Sequence, residues 1–291
     1  MIPRVAGRSA ERRKQRRLDE ERRRFGPPQG WVSGQPVPSR PMLELRGLVK
    51  HFDGRRAIDG VDLVVRRGSV HALIGPNDAG KTTLLNLVTG VLSPDEGRVL
   101  IEGEDVTGAP AWKLTKLGVG RSFQQAELFW SLSPRDNVRL AKAVAAGSVW
   151  RPYGALPESI TAESSGFLGR FGLGGLERWL SAGDLSNGDQ RTLDLATSLA
   201  GRPRLLLLDE PTAGLSPRET KDAAALISRL AREEELTLVF VEHDMEVVFG
   251  IADWITVMHQ GRVLAGGPPH EISENPAVRR AYLGDLAIER R

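Results

Sequence analysis

The residues Gly75-Pro76-Asn77-Asp78-Ala79-Gly80-Lys81-Thr82-Thr83 follow the pattern G-x-x-x-x-G-K-[ST]. Glycines let a backbone wrap closely, so that its N–H groups and the N-terminus of the helix behind it point at a phosphate. Lys81 is then placed to reach the β- and γ-oxygens of a nucleoside triphosphate, and the Thr82 hydroxyl to ligate Mg²⁺. A second group, Leu205-Leu206-Leu207-Leu208-Asp209-Glu210, is an apolar run ending in two acids. At the carboxyl end of a parallel strand such acids enter the crevice where these sheets take ligands. Asp209 would hold Mg²⁺ through a water, and Glu210 would polarise an attacking water as general base. Taken singly, the first motif could be an accidental glycine-rich turn and the second a pair of solvated acids. What decides between these readings is the set of elements around them.

Met42–Leu48 and Val61–Val65 alternate apolar and polar residues and read as strands, while Val70–Ile74 is a short apolar run suited to a parallel strand covered on both faces. The glycine-rich loop follows it and opens a helix expected from Lys81 to about Leu92, after which Arg98–Glu102 returns as a strand. Gln124 to Ala200 reads as mainly helical, broken at Gly147–Gly175 by Gly, Ser and Pro. Arg204–Leu208 and Thr237–Val241 resume as buried strands. Between them Ser216-Pro217-Arg218-Glu219 is a capping box with Pro at the first helical position, and Ala223, Leu226, Ile227 and Leu230 form the apolar face of the helix it starts. The expected architecture is one copy of a parallel αβα core carrying a helical insertion.

Composition bounds the partners. The chain has 291 residues and no cysteine, which excludes disulfides, thiolate metal sites and a cysteine nucleophile. Its longest apolar runs, Leu205–Leu208 and Leu236–Val241, are far shorter than the ~20 residues that span a bilayer. Residues 1–40 hold eleven Lys/Arg and four Asp/Glu, a net of +7, whereas the remainder carries 29 basic and 33 acidic residues, a net of −4. The basic pI thus belongs to the tail, which argues against nucleic acid as a ligand of the folded part. Residues 1–41 read as a disordered basic extension; an electrostatic anchor to anionic lipid or RNA, or a true start at Met42, are the alternatives.

Leu185-Ser186-Asn187-Gly188-Asp189-Gln190 narrows the reading. Ser186 can cap the helix that follows, leaving a helix N-terminus aimed outward. The segment resembles the signature sequence of ABC ATPases, and the resemblance runs from about Met42 to Gly284. It implies a P-loop NTPase core of ABC ATPase type, with a helical subdomain at about 124–200, a small antiparallel β-subdomain and a C-terminal extension at about 266–291. It assigns Phe52 to adenine stacking, Gln124 to Mg²⁺ and the attacking water, and His243 to the γ-phosphate. Ser186 and Gly188 would bind the γ-phosphate held by a second subunit, and Ala213-Gly214-Leu215-Ser216 would form the loop crossing to that subunit. The implied cofactors are ATP and Mg²⁺.

Gly120-Arg121-Ser122-Phe123-Gln124, Glu127-Leu128-Phe129, and Asn275-Pro276-Ala277-Val278 through Ala281-Tyr282-Leu283-Gly284 resemble ATPases of branched-chain amino-acid importers. That resemblance implies two membrane permease subunits, an extracytoplasmic binding protein behind them, and a second ATPase subunit, identical or different. The chain would sit on the cytoplasmic face of the cell membrane and bind no nucleic acid. A urea-type importer ATPase and a catalytically weak regulatory subunit are the alternatives. The second is motivated by Asp78 and Asp189, which stand where the family usually has glycine and glutamine. Both side chains are expected to turn away from phosphate.

Overall fold

The structure, a computed structural model, describes residues 41–122, 127–146, 158–175 and 180–281, with only the backbone described at 158–162. The basic tail apart from Pro41, Phe123, Gln124, much of the Gly147–Gly175 stretch and the chain beyond Ala281 lie outside the described residues.

Two sheets share the chain. β1 (Leu43–Phe52) and β2 (Arg55–Val65) form a hairpin that pairs Phe52 with Arg55 and Leu43 with Val65. With β4 (Glu96–Ile101) and β5 (Glu104–Asp105) they make a four-stranded antiparallel sheet in the order β2-β1-β4-β5, the expected small β-subdomain. Both hairpin strands run longer than their apolar alternation predicts. The less buried ends, His51-Phe52 and Arg55-Arg56, pair with each other around a tight turn, where backbone bonding and not burial holds them.

The second sheet has six strands in the order β10-β9-β3-β8-β7-β6. These are β3 (Val70–Ile74), β6 (Val119–Ser122), β7 (Leu205–Asp209), β8 (Thr237–Val241), β9 (Trp254–His259) and β10 (Arg262–Gly267). All pairings are parallel except that of the edge strand β10 with β9. Every residue of β3, β7 and β8 is buried, as parallel strands covered on both faces require.

Alternate residues of these strands feed two separate cores. Val70, Ala72, Leu206, Leu208, Leu238 and Phe240 pack toward the helical side. Leu73, Leu205, Leu207, Val239 and Val241 pack toward the antiparallel sheet and helix α1 (Lys81–Val88). The sheet is therefore a common wall, and a one-residue slip in any of these strands would exchange its two faces.

α1 stops at Val88, short of the expected Leu92, because the amides of Val91 and Leu92 both turn back onto Asn86 O. The short α2 (Ala111–Lys116) precedes β6. α3 (Pro134–Ala145), α4 (Glu158–Gly169) and α5 (Asn187–Ala200) supply the helical insertion. α6 (Pro217–Glu233) joins β7 to β8 and carries the expected capping box between Ser216 and Glu219. Its buried face differs slightly from the expected one. Ile227 and Leu230 are inside with Thr220, Ala224 and Ala231, while Ala223 and Leu226 are only half-buried, because the seam on the sheet runs through Ala224, Ile227 and Ala231. α7 (Met245–Ile251) and α8 (Pro269–Glu274) follow. Among the described residues no helix is long and apolar enough to cross a membrane.

Candidate functional site: a phosphate loop beside a glutamate–histidine pair

Strand register builds the site. Asp209 and Leu73 each pair with Val241, and Ser122 pairs with Leu208, so β3, β8, β7 and β6 end level at one edge of the sheet. The segments leaving those ends carry the glycine-rich loop, Glu242-His243, Glu210 and the chain beyond Ser122.

The loop is closed by contacts that leave no room for side chains. A Cβ on Gly75 would lie 2.2 Å from Met258 O, and one on Gly80, at φ +95°, would lie 2.5 Å from Ala57 O. Gly80 is also the N-cap of α1, which has no side-chain cap and no acid in its first turn. Its leading N–H groups therefore face the loop with their partial positive charge. Lys81 is buried and donates through Nζ to Gly75 O (2.8 Å) and Pro76 O (2.9 Å). Burial lowers its pKa, while the negative charges of Glu210, Asp209 and Asp78 oppose that shift.

Asp209 is buried at the end of β7, and its Oδ1 has no hydrogen-bond partner among the described residues. Desolvation raises its pKa; Arg121 (Nη2 to Oδ2, 3.8 Å), the Thr82 hydroxyl and Lys81 pull the other way. Arg121, its own pKa lowered by burial, also donates to Thr89 Oγ1 at 2.8 Å.

Glu210 leaves the strand in the left-handed conformation, φ +52°, with its amide donating to Val241 O at 3.0 Å. That reversal brings its carboxylate to His243, whose Nε2–H donates to Glu210 Oε1 at 3.1 Å. The preceding residue, Glu242, is buried and turns inward to accept from Thr212 N, Thr212 Oγ1 and His243 N.

The sequence-derived residues fall at three places. Lys81, Thr82, Asp209, Glu210 and His243 come together at the sheet edge, with the exposed Asn77 and Asp78 on the loop above. Asp78 takes φ +62°, so the backbone there is left-handed and the side chain lies at the surface. Ser186 and Gly188 stand at the start of α5, where a Cβ on Gly188 would meet Glu219 Oε1 at 2.7 Å. Ser186 accepts from Asp189 N (3.2 Å) and donates its hydroxyl to Asp189 Oδ2 (2.8 Å). Asp189 thus closes on the capping serine, as an acid at the third helical position naturally does. Phe52 is exposed at the tip of the β1–β2 hairpin, with Lys50 Nζ 5.8 Å from its ring centroid.

Two buried acids had no signal in the sequence. Glu242 reads as one more solvated acid beside the histidine. Asp194, on α5, accepts from Ser122 Oγ and from Glu127 N (3.2 Å), the described residues on either side of 123–126, and burial raises its pKa. Only the long-range pairing distinguishes either from a surface carboxylate.

The ABC transporter family profile matches residues 58–213, more than half of the chain. The chain belongs to the ABC transporter family. A profile described as branched-chain amino acid ATP-binding cassette transporter matches residues 262–287 of this ABC ATPase. It is 41% identical over 254 residues to the high-affinity branched-chain amino acid transport ATP-binding protein BraF of Pseudomonas aeruginosa, covering 85% of this chain and 99% of that protein. It is 38% identical over 255 residues to the corresponding LivG of Escherichia coli K12, with the same two coverages. Among solved structures it is similar to an ATP-binding cassette in its ADP conformation, with TM-score 0.74 and 28% identity over 84% of this chain and 99% of that one. It is also similar to a dimeric cassette in a post-hydrolysis state bound to ADP and Pi, with TM-score 0.67 and 26% identity over 78% and 99% of the two chains. The αβα core with its two subdomains is thus the ABC ATPase fold, and the chain is a transport-coupled ATPase subunit.

Proposed function

We propose that this ATPase works as half of a head-to-tail dimer that powers import of branched-chain amino acids through two permease subunits fed by an extracytoplasmic binding protein. The observation that carries the catalytic part is the Glu210–His243 contact, made beside Lys81 and Asp209 at one sheet edge. Glu210 holds a carboxylate where it can take a proton from an attacking water, and the His243 ring orients that carboxylate. Lys81 and the open N-terminus of α1 carry the β- and γ-phosphates. When bound, Mg²⁺ neutralises charge on those oxygens. The Thr82 hydroxyl and the orphaned Asp209 Oδ1 suit it, with Gln124 assigned beside them by resemblance. Phe52, exposed at the hairpin tip, would stack on adenine. Ser186 and Gly188 of one subunit would close the site of the other, so ATP joins the subunits and its hydrolysis lets them part.

The cargo rests on the two relatives, both of branched-chain amino acid transport, and on the profile at 262–287. The permease would dock on the open groove lined by Val91, Leu114, Phe129, Leu140 and Val144, beside the exposed Trp112. A chain docked there is peripheral, on the inner face of the membrane.

The test is Glu210→Gln, which keeps shape and removes the base. It is expected to bind Mg·ATP and dimerise while turnover falls by about a thousandfold; brisk hydrolysis would remove Glu210 from that role. Reconstitution with the neighbouring permease and leucine uptake into vesicles tests the cargo, and ATP-driven urea uptake in its place would refute it. A weaker, regulatory ATPase is the second reading, favoured by one contact, the Ser186–Asp189 hydrogen bond.

A further inference from the structure

Glu242 makes three hydrogen bonds across two segments that the chain separates by 30 residues. Its Oε1 accepts from Thr212 N (2.9 Å) and Thr212 Oγ1 (2.6 Å), and its Oε2 accepts from His243 N (3.1 Å). Thr212 lies in the turn that begins at Glu210, where Ala213 N donates back to Glu210 O at 3.1 Å. Apart from the Glu210–His243 side-chain contact itself, the two segments are joined nearby through the Glu210 amide, which donates to Val241 O at 3.0 Å. That bond orients the start of the turn and leaves its far end, and the ring of the half-exposed His243, to be fixed by something else. The three polar residues after β8 therefore have separate partners. Glu242 faces in, His243 meets Glu210, and Asp244 caps α7 through Glu246 N and Val247 N.

We propose that Glu242 is a positioning residue for ATP hydrolysis, its carboxylate locking the Thr212 turn to the His243 backbone and so holding the ring at Glu210. The inference rests on the catalytic roles given above to Glu210 and His243. Its chemical basis is that both carboxylate oxygens face donors only. A glutamine has one acceptor oxygen, so Glu242→Gln must set its NH₂ against either the Thr212 donors or the His243 amide. One end of the tie then opens while size and shape stay the same.

The experiment uses the full chain and measures ATP affinity, steady-state ATPase and single-turnover hydrolysis in Glu242→Gln, His243→Ala and the double variant. Glu242→Gln is expected to lower kcat by about tenfold with ATP affinity within about twofold of the parent. In the His243→Ala background the same change is expected to alter the residual single-turnover rate by less than about twofold, since the ring it positions is gone. An equal loss in both backgrounds, or no loss at all, overturns the proposal. If His243→Ala alone turns over at the parent rate, the site reading falls and this inference with it. If His243→Ala is crippled and Glu242→Gln is not, only the positioning role falls. Should Glu242→Gln fail to fold by circular dichroism, Thr212→Val removes a single hydroxyl donor. It is expected to lose about threefold in kcat, again only when His243 is present, and a loss independent of His243 overturns the proposal.

Discussion

Replacing Asp189 by glutamine separates two effects that the structure places on one side chain. Asp189 Oδ2 holds the Ser186 hydroxyl at 2.8 Å, at the N-terminus of α5, where the partner's γ-phosphate would arrive. For the isolated chain the acid is favourable, because a negative charge in the first turn of a helix contributes ~0.3–1 kcal/mol. The cap itself survives the substitution, since Ser186 Oγ accepts from the backbone amide of residue 189. The monomer should therefore melt only about 1–4 °C lower. For the dimer the acid is unfavourable. Two unit charges ~5 Å apart repel by about 1–3 kcal/mol at an effective dielectric of 80 down to 20. Asp189→Gln in a Glu210→Gln background should then tighten the Mg·ATP dimer by about 5- to 150-fold for each of the sites the dimer closes. Sedimentation velocity across a concentration series reads that constant directly. A dimer constant within about twofold of the parent, with the small melting shift present, would show that Asp189 does not face the arriving phosphate.

The remaining expectations concern stability and the loop. His71 is buried on β3 against Thr256 Oγ1 (2.8 Å), and burial lowers its pKa to about 3. The unfolded chain takes up a proton below pH ~6.5 that the folded chain refuses, so stability should fall by about 2 kcal/mol between pH 7 and pH 5 from this group. Urea melts of His71→Gln should show that part of the acid limb flattened; an unchanged pH slope would contradict it. Gly80→Ala places a Cβ 2.5 Å from Ala57 O at φ +95°. It should cost at least ~2 kcal/mol in urea melts and weaken ATP binding, and a parental melting midpoint would mean that the loop closes differently.

The parts of the fold and site legible in the sequence are those in which local pattern and tertiary role coincide. Thr237–Val241 is a strand with the expected bounds because burial on both faces leaves an uninterrupted apolar run. The glycine-rich loop is legible because each glycine answers a backbone contact that no side chain could share. β6 and β10 gave no comparable signal: β6 holds Gly120 and Arg121 among four residues, and the edge strand β10 is only partly covered. Glu242 and Asp194 are silent for another reason. Their partners lie 30 and 72 residues away, and nothing in the nearby residues distinguishes a buried, fully bonded carboxylate from a solvated one.

The left-handed backbone at Glu210, φ +52°, carries a consequence for how this chain can change over generations. A residue with a Cβ gives up ~1–2 kcal/mol in that conformation, and glycine does not. Given the general-base role proposed for Glu210, the same position offers a stabilising substitution that would abolish turnover. A screen that rewarded heat tolerance alone would drift toward Glu210→Gly, and the acid persists only where selection reads the work the protein performs. Glu210 therefore records a conflict between folding and labour, written in one torsion angle.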